Sequence, residues 1–182
     1  MKLTFVTGNP GKVAELRRWL KYELPLSDVD VEELQELDPY KVVEHKARAA
    51  YDSIKSPILT EDISVVCHAM GQLPGTYIKW FLQELGPAGI CQMVNAFEDR
   101  SATVQVIYCY FDGKRIETFK NTVEGSIAPK PRGTGGFGWN SMFIPEGSDK
   151  TDAELFDTDW ERFAVRPKAV AKLKKFLDNL EA

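Results

Sequence analysis

An α/β fold is predicted for this chain of 182 residues on three observations. The chain opens as strand, tight turn and helix. Its middle carries two long apolar strand patterns that meet at Asp112-Gly113, the clearest hairpin signal in the sequence. Its end, from Pro167, sets Ala169, Leu173, Phe176, Leu177 and Leu180 along one helical face.

The opening strand is the apolar run from Leu3 to Val6, and Val13, Leu16 and Leu20 then recur at helical spacing. Between them lies Thr7-Gly8-Asn9-Pro10-Gly11-Lys12. Asn9 is a good N-cap, and Pro10 suits the first helical position because its missing N–H would be unpaired there anyway. Gly8 and Gly11 permit close approach of backbone to a ligand. A helix N-terminus with Lys12 beside it attracts a phosphate, although an ordinary capped helix start gives the same pattern. The spacing is not that of a Walker A loop, being two residues short between the glycines, with Val13 where Ser or Thr would bind magnesium.

A short strand is predicted over 28–31, followed by the acidic stretch 32–38, whose charges alone read as a solvated loop. Val42, Val43, Ala47 and Ala50 lie along one side of a helix over 39–53. From it Lys46 projects, either as a surface charge or as a second phosphate contact. The run 57–60 is a buried strand ending at Glu61-Asp62, after which 63–67 resumes the apolar pattern. Adjacent strand residues point to opposite faces, so one of these two acids faces a site. Acids in such surroundings serve as metal ligands, general bases or members of structural ion pairs. Residues 73–76 form a turn and 77–81 start a helical segment whose aromatics suit a core, with Lys79 able to reach into a cleft. A second helix covers 88–96, and strands follow over 102–111 and 115–123. The glycine-rich segment 133–140, containing Phe137, Gly138, Trp139 and Asn140, is either a flexible loop or a surface against which a flat base stacks. A short helix is predicted over 151–155.

With 43% hydrophobic and 27% charged residues, the composition suits one globular unit, and a single domain spanning 1–182 with two lobes is expected. No apolar segment reaches the ~20 residues of a membrane span. The net charge of −4 argues against broad nucleic-acid binding but not against a single nucleotide held through a divalent cation. Cys67, Cys91 and Cys109 are scattered in apolar runs, which predicts buried free thiols and a reducing, cytoplasmic setting. His45 and His68 lack metal-ligand spacing, and a serine-hydrolase elbow is absent. Carboxylates, lysines, glycine turns and aromatics remain, an inventory suited to metal-assisted chemistry on a nucleotide polyphosphate.

Taken together, Thr7-Gly8-Asn9 with Lys12 and Glu15, Thr60-Glu61-Asp62, Leu73-Pro74-Gly75 with Tyr77 to Phe81, Phe97-Glu98-Asp99 and Phe137-Gly138-Trp139 resemble the inosine triphosphate pyrophosphatase family, its eukaryotic-type members above all. The resemblance covers nearly the whole chain in order. It implies an elongated α/β protein with a long mixed sheet, two lobes and a central cleft, usually a homodimer. The implied activity is hydrolysis of deaminated purine nucleoside triphosphates to the monophosphate and pyrophosphate with magnesium, manganese being an acceptable stand-in. Carried over by position, Thr7, Gly8, Asn9 and Lys12 hold the triphosphate, assisted by Lys46. Glu33 and Asp62 are the acidic pair at the metal, with Glu36 and Asp38 as rivals to Glu33. Asp62 ligates the ion or takes the proton from water, with Glu61 and Lys12 beside it as catalytic candidates. Lys79 lies in the substrate cleft, and Phe137, Gly138 and Trp139 wall the base pocket.

The C-terminal third departs from that pattern. Asn140 stands where the family has Asp, Trp160 where it has Lys, and Ala164-Val165 where it has Ser-His, while Arg166 is kept. These family residues gather around the base. The first expectation is therefore the family activity with Arg166 reading the base. The alternatives are a pyrophosphatase of relaxed or shifted base choice, in which Trp160 stacks on the base, and a nucleotide-binding protein without turnover.

Overall fold

A computed structural model describes residues 3–20 and 24–181. Strand β1 (Thr4–Val6) leads into helix α1 (Pro10–Leu20), and β2 (Leu26–Ser27) follows. Helix α2 (Pro39–Ile54) precedes the long strand β3 (Ile58–Cys67), a 3-10 turn at His68–Met70 and the two-residue strand β4 (Pro74–Gly75). Helix α3 (Ile78–Val94), β5 (Ser101–Phe111), β6 (Ile116–Ile127), β7 (Phe143–Pro145), the short helices α4 (Asp152–Leu155) and α5 (Trp160–Phe163), and α6 (Arg166–Glu181) complete the order. Among the described residues the seven strands form one sheet in the order β2-β1-β3-β5-β6-β7, with β4 on β3. β1 is parallel to β2 and β3, whereas β4 on β3 and β7 on β6 are antiparallel, so the sheet is mixed.

Several boundaries differ from the sequence reading for physical reasons. The strand expected over 28–31 lies instead at Leu26–Ser27, where Phe5 and Val6 of β1 set its register. Val29 and Val31 spend their apolar side chains on a core cluster without pairing as strand. β3 does not stop at Glu61-Asp62 but carries both acids through its interior. α3 joins the two helical segments expected separately, and the joint is real: Gly86 has φ 64° and ψ 175°, with Pro87 after it. A positive φ of this kind suits glycine and interrupts the helix. β4, β7 and α5 were not anticipated, being too short to show periodicity.

The chain divides into two compact units, with the cuts falling inside β3, β5 and β6 and just before α6. The first holds Met1–Asp62, Val106–Asn121 and Arg166–Ala182. Its core gathers Val6, Val43, Ala47, Ala50, Ile58, Ile107 and Cys109, all at most 1% exposed. α1 packs on α6. Tyr110 and Phe119 lie 5.0 and 5.1 Å from Phe176 of α6, ring to ring. The second unit, Ile63–Gln105 and Thr122–Val165, buries Val65, Ile78, Ile90, Val104, Trp139 and Trp160. Cys67, Cys91 and Cys109 are buried free thiols, as their apolar surroundings predict. No described helix is long and apolar enough to cross a membrane.

The ends of α2 are set by local chemistry. Asp38 accepts the Tyr40 N–H at 2.9 Å as N-cap, Pro39 occupies the first turn, and Lys55 closes the helix in the left-handed region at φ 56°. Asp38→Ala is expected to cost about 1 kcal/mol of stability, read as a fall in Tm of roughly 2–4 °C for a domain of this size.

Candidate active site

The first unit assembles its chemistry around the junction of β1 with α1, helix α2 and the strand β3 that follows it. At the head of α1, Asn9 Oδ1 accepts the Gly11 N–H at 2.9 Å and the Lys12 N–H at 3.3 Å, and Thr7 Oγ1 accepts the Asn9 N–H at 3.1 Å. The N-cap reading of Asn9 is therefore borne out. Gly8 is exposed, and a Cβ placed on it would meet nothing within 4 Å, so the turn is open on that side. The helix dipole leaves partial positive charge at this end.

Pleating sends the two acids of β3 to opposite faces. Glu61, 1% exposed, faces α1 and α6. There Arg166 grips both of its carboxylate oxygens, NH2 to Oε1 at 2.8 Å and Nε to Oε2 at 3.3 Å. NH1 of the same guanidinium donates to Glu15 Oε2 at 2.8 Å. Lys12 Nζ donates to the Glu61 backbone oxygen at 3.1 Å and stands 3.6 Å from Oε1. Burial alone would raise the Glu61 carboxyl, but the charges of Arg166 and Lys12 outweigh it and hold the group below its ordinary value. The guanidinium responds in kind: burial would lower it, yet Glu61 and Glu15 push it up. Tyr108, buried beside the same carboxylate, is driven well upward by burial and by that negative charge. Glu61 is thus a fixed anion and not a proton acceptor.

Asp62 faces the other way, with Thr60, whose hydroxyl donates to the Val43 oxygen of α2 at 3.2 Å. It is half-buried, and its Oδ2 is fully shielded without a hydrogen-bond partner. Burial raises this carboxyl to about 6, against the pull of Lys12 and Lys46 and with the help of Glu61 and Glu33. Lys46 Nζ stands 3.7 Å from Glu33 Oε1. The acidic stretch is therefore not only a solvated loop, since Glu33 and Asp62 share the neighbourhood of Lys46. Glu36 and Asp38 are engaged otherwise: Glu36 takes the Leu37 N–H at 2.8 Å and Lys41 at 3.1 Å, and Asp38 caps α2.

The magnesium implied by the resemblance fits these residues. A shielded carboxylate oxygen with no partner, next to a second carboxylate, is the hard-oxygen donor set such an ion takes, the remaining ligands being water and phosphate oxygens. Among the described residues no group of three or more His, Cys, Asp or Glu forms a complete protein cage.

The second unit contains the other expected residues. Lys79, at the start of α3, is exposed and lies 4.9 Å over the ring of Trp80. Phe137 is half-buried and Gly138 exposed. Trp139, Asn140 and Trp160 differ from the expectation, being 4%, 1% and 2% exposed and built into the interior of this unit. Trp139 meets Phe143 edge-on at 5.7 Å, and Trp160 packs on Phe156 at 4.8 Å. Asn140 Nδ2 donates to Asp152 Oδ2 at 2.7 Å and Trp160 Nε1 to the same oxygen at 3.3 Å. Asn140 Oδ1 accepts the Phe137 N–H at 3.1 Å. The glycine-rich segment is therefore tied down: Gly136, at φ 71°, leaves no room for a Cβ, which would fall 2.8 Å from Asn140 Cγ. Asp152 and Tyr108 had no signal in the sequence beyond a polar residue next to apolar ones. Glu15 did carry one, as a charge next to Leu16 on the face of α1 that is buried.

Metal-free protein keeps a proton on Asp62 up to pH about 6, whereas the unfolded chain releases it near 3.8. The stability this group contributes is complete below that lower value and lost as pH rises through the upper one. Asp62→Asn removes the loss. In chelator at pH 7 the variant is expected to be more stable by about 1–2 kcal/mol, discounted for partial solvent access. Thermal melts should show the advantage shrinking towards pH 4.

Residues 3–176 match the family model described as the Ham1 family. An inosine triphosphate pyrophosphatase of Schizosaccharomyces pombe is 39% identical over 181 residues, covering 97% of this chain and 95% of that protein. Inosine triphosphate pyrophosphatase 2 of Trypanosoma cruzi is 38% identical over 177 residues, covering 95% and 90%. The solved structure of a HAM1 protein from Coxiella burnetii has the same fold, with a TM-score of 0.84 at 23% identity over 98% of this chain and 100% of that one. A match of this extent to the family model, with relatives of this identity along nearly their whole length, establishes that the chain belongs to the Ham1 family.

Proposed function

We propose that this chain is a nucleoside triphosphate pyrophosphatase, a single domain spanning 1–182, that hydrolyses inosine and xanthosine triphosphates and their deoxy forms, clearing deaminated purines from the nucleotide pool. The observation that carries the reading is the setting of Asp62: a half-shielded carboxylate with one unpartnered oxygen, between Lys12 and Lys46 and near Glu33. The names of the relatives supply the substrate class.

Lys12 and Lys46 bind the triphosphate by charge, with the open turn Thr7-Gly8-Asn9 and the N-terminus of α1 accommodating phosphate oxygens. Glu33 and Asp62 would hold the magnesium ion, which would supply neutralisation of phosphate charge and orientation of a water. Asp62 takes a proton from the attacking water as the water's oxygen bonds to the α-phosphorus. In the metal-free protein burial raises this carboxyl to about 6, which leaves it mostly ionised at pH 7. The anhydride bond between the α- and β-phosphates breaks, its electron pair leaves with pyrophosphate, and the lysines stabilise the charge that develops there. Glu61, ionised and gripped, takes no proton.

Relaxed base choice is the second reading. It is favoured by the burial of Asn140 and Trp160, whose donors are turned onto Asp152. A pocket with fewer free donors discriminates less between a keto and an amino purine. The exposed apolar side chains Leu73, Trp80, Leu85, Met93 and Phe97 in and beside α3 support a homodimer. Three free thiols support the reducing cytoplasm as the compartment.

Pyrophosphate release with magnesium, measured across ITP, XTP, dITP, GTP, ATP, CTP and UTP, tests the reading. A large preference for ITP and XTP in kcat/KM is expected. A flat profile would establish relaxed choice, and no turnover would leave only a binding protein. Asp62→Asn should lower kcat by about 10²–10⁴-fold, and retained activity would remove Asp62 from its role.

A further inference from the structure

Lys46 and Glu33 meet in the first unit from seats of different kinds. Lys46 stands on α2, three residues beyond Val43 and so on the same side of the helix. Val43 is wholly buried, and its backbone oxygen accepts the Thr60 hydroxyl at 3.2 Å, which ties this turn of α2 to β3. Thr60 and Asp62 share a face of that strand. The stem of the lysine is thus set beside Asp62 by a packed helix, and its side chain is 17% exposed. Glu33 has a more open seat, with its side chain 40% exposed. It lies in residues 32–35, four exposed positions between two anchored stretches. Before them Val29 and Val31 pack against the core cluster. After them Glu36 takes the Leu37 N–H at 2.8 Å, the Asp38 N–H at 3.3 Å and Lys41 at 3.1 Å. The two charges meet at 3.7 Å, from Nζ to Oε1. An ion pair this open to water is weak enough to be exchanged, and a divalent cation offers a carboxylate a stronger partner.

We propose that the Glu33–Lys46 pair is a resting contact that withholds Lys46 from phosphate until a divalent cation takes the Glu33 carboxylate, so that metal and polyphosphate binding are coupled through exchange of partners. The inference rests on the proposed roles of Glu33 and Asp62 towards the ion and of Lys46 towards phosphate. Its physical content is a competition. One carboxylate does not serve an ammonium and a metal ion fully at once, so whichever holds Glu33 is opposed by the other. Removing the lysine therefore strengthens metal binding, and removing the Glu33 charge strengthens anion binding in the absence of metal.

Bulk charge gives effects of the same sign, so the test is a mutant cycle with Glu32, the exposed acid one residue away, as its charge-matched control. The probes are Mn²⁺ alone, with the free ion read by electron paramagnetic resonance, and sodium pyrophosphate titrated calorimetrically into the metal-stripped protein. Lys46→Met is expected to tighten the Mn²⁺ Kd about three- to fivefold in the parent and by less than about 1.5-fold in a Glu33→Gln background. In a Glu32→Gln background the full tightening should remain. Without metal, Glu33→Gln is expected to tighten pyrophosphate binding about three- to fivefold, and Glu32→Gln by less than about 1.5-fold. Equal tightening of Mn²⁺ binding by Lys46→Met in all three backgrounds would overturn the proposal, because the lysine would then act by charge alone. Equal effects of the two glutamine variants on pyrophosphate would overturn it too, as would Mn²⁺ binding that Glu33→Gln leaves unchanged. A parent protein that binds both probes but turns over no triphosphate would sink the proposed function and leave this inference standing.

Discussion

The structure depends on a buried ion cluster. Arg166 is separated from Glu61 by 105 residues and from Glu15 by 151, yet it meets both at 2.8 Å. Placing charges beyond the reach of water costs several kcal/mol per ion unless each is paired and hydrogen-bonded. Here the guanidinium fork meets one carboxylate with two donors and the other with a third, the geometry in which an arginine is a better partner than a lysine. The consequence is topological. α1 and α6 come from opposite ends of the chain and β3 from between them, and none can leave the others without stranding a charge, so the last helix is fixed against the first.

The cluster also separates the chemistry of two adjacent residues. Glu61 and Asp62 carry the same functional group on side chains one methylene apart in length, and the pleat turns them to opposite faces. One lies among cations that hold its proton off. The other lies half-shielded with fewer partners, and burial brings it to the acidity a base needs near neutral pH. Division of labour between neighbouring carboxylates by environment is a general device in acid–base chemistry. Here the environment follows from strand alternation together with which helices cover each face.

Much of this was legible in the sequence because the signals were local. The Asn9 cap, the Pro39 helix start, the Asp112-Gly113 turn, the short helix near 151–155 and the apolar stripe of α6 need only a few neighbouring residues to specify them. The opposite facing of Glu61 and Asp62 also followed from period alone. What could not be read was long-range. Arg166 stands in a sequence that resembles a base-binding motif, and nothing near it in the chain announces that its partners lie on α1 and β3. Tyr108 sits in an unbroken apolar run, so its hydroxyl gave no sign of the carboxylate beside it. β4, β7 and α5 have two to four residues, less than a period of evidence.

The second unit gives a different meaning to the departures at 140 and 160. By sequence an aspartate and a lysine are replaced, which reads as the loss of a charge pair. In the structure the unit still has a buried carboxylate: Asp152, 2% exposed, receives Asn140 at 2.7 Å and Trp160 at 3.3 Å. Asn140 can do what an aspartate cannot, because an amide offers a donor to Asp152 and an acceptor to the Phe137 N–H at once. Two carboxylates at these positions would repel, so asparagine is the consistent partner for Asp152. Trp160 supplies one donor and fills volume against Phe156. The changes are thus coupled through one oxygen atom, and they brace the loop that carries Phe137.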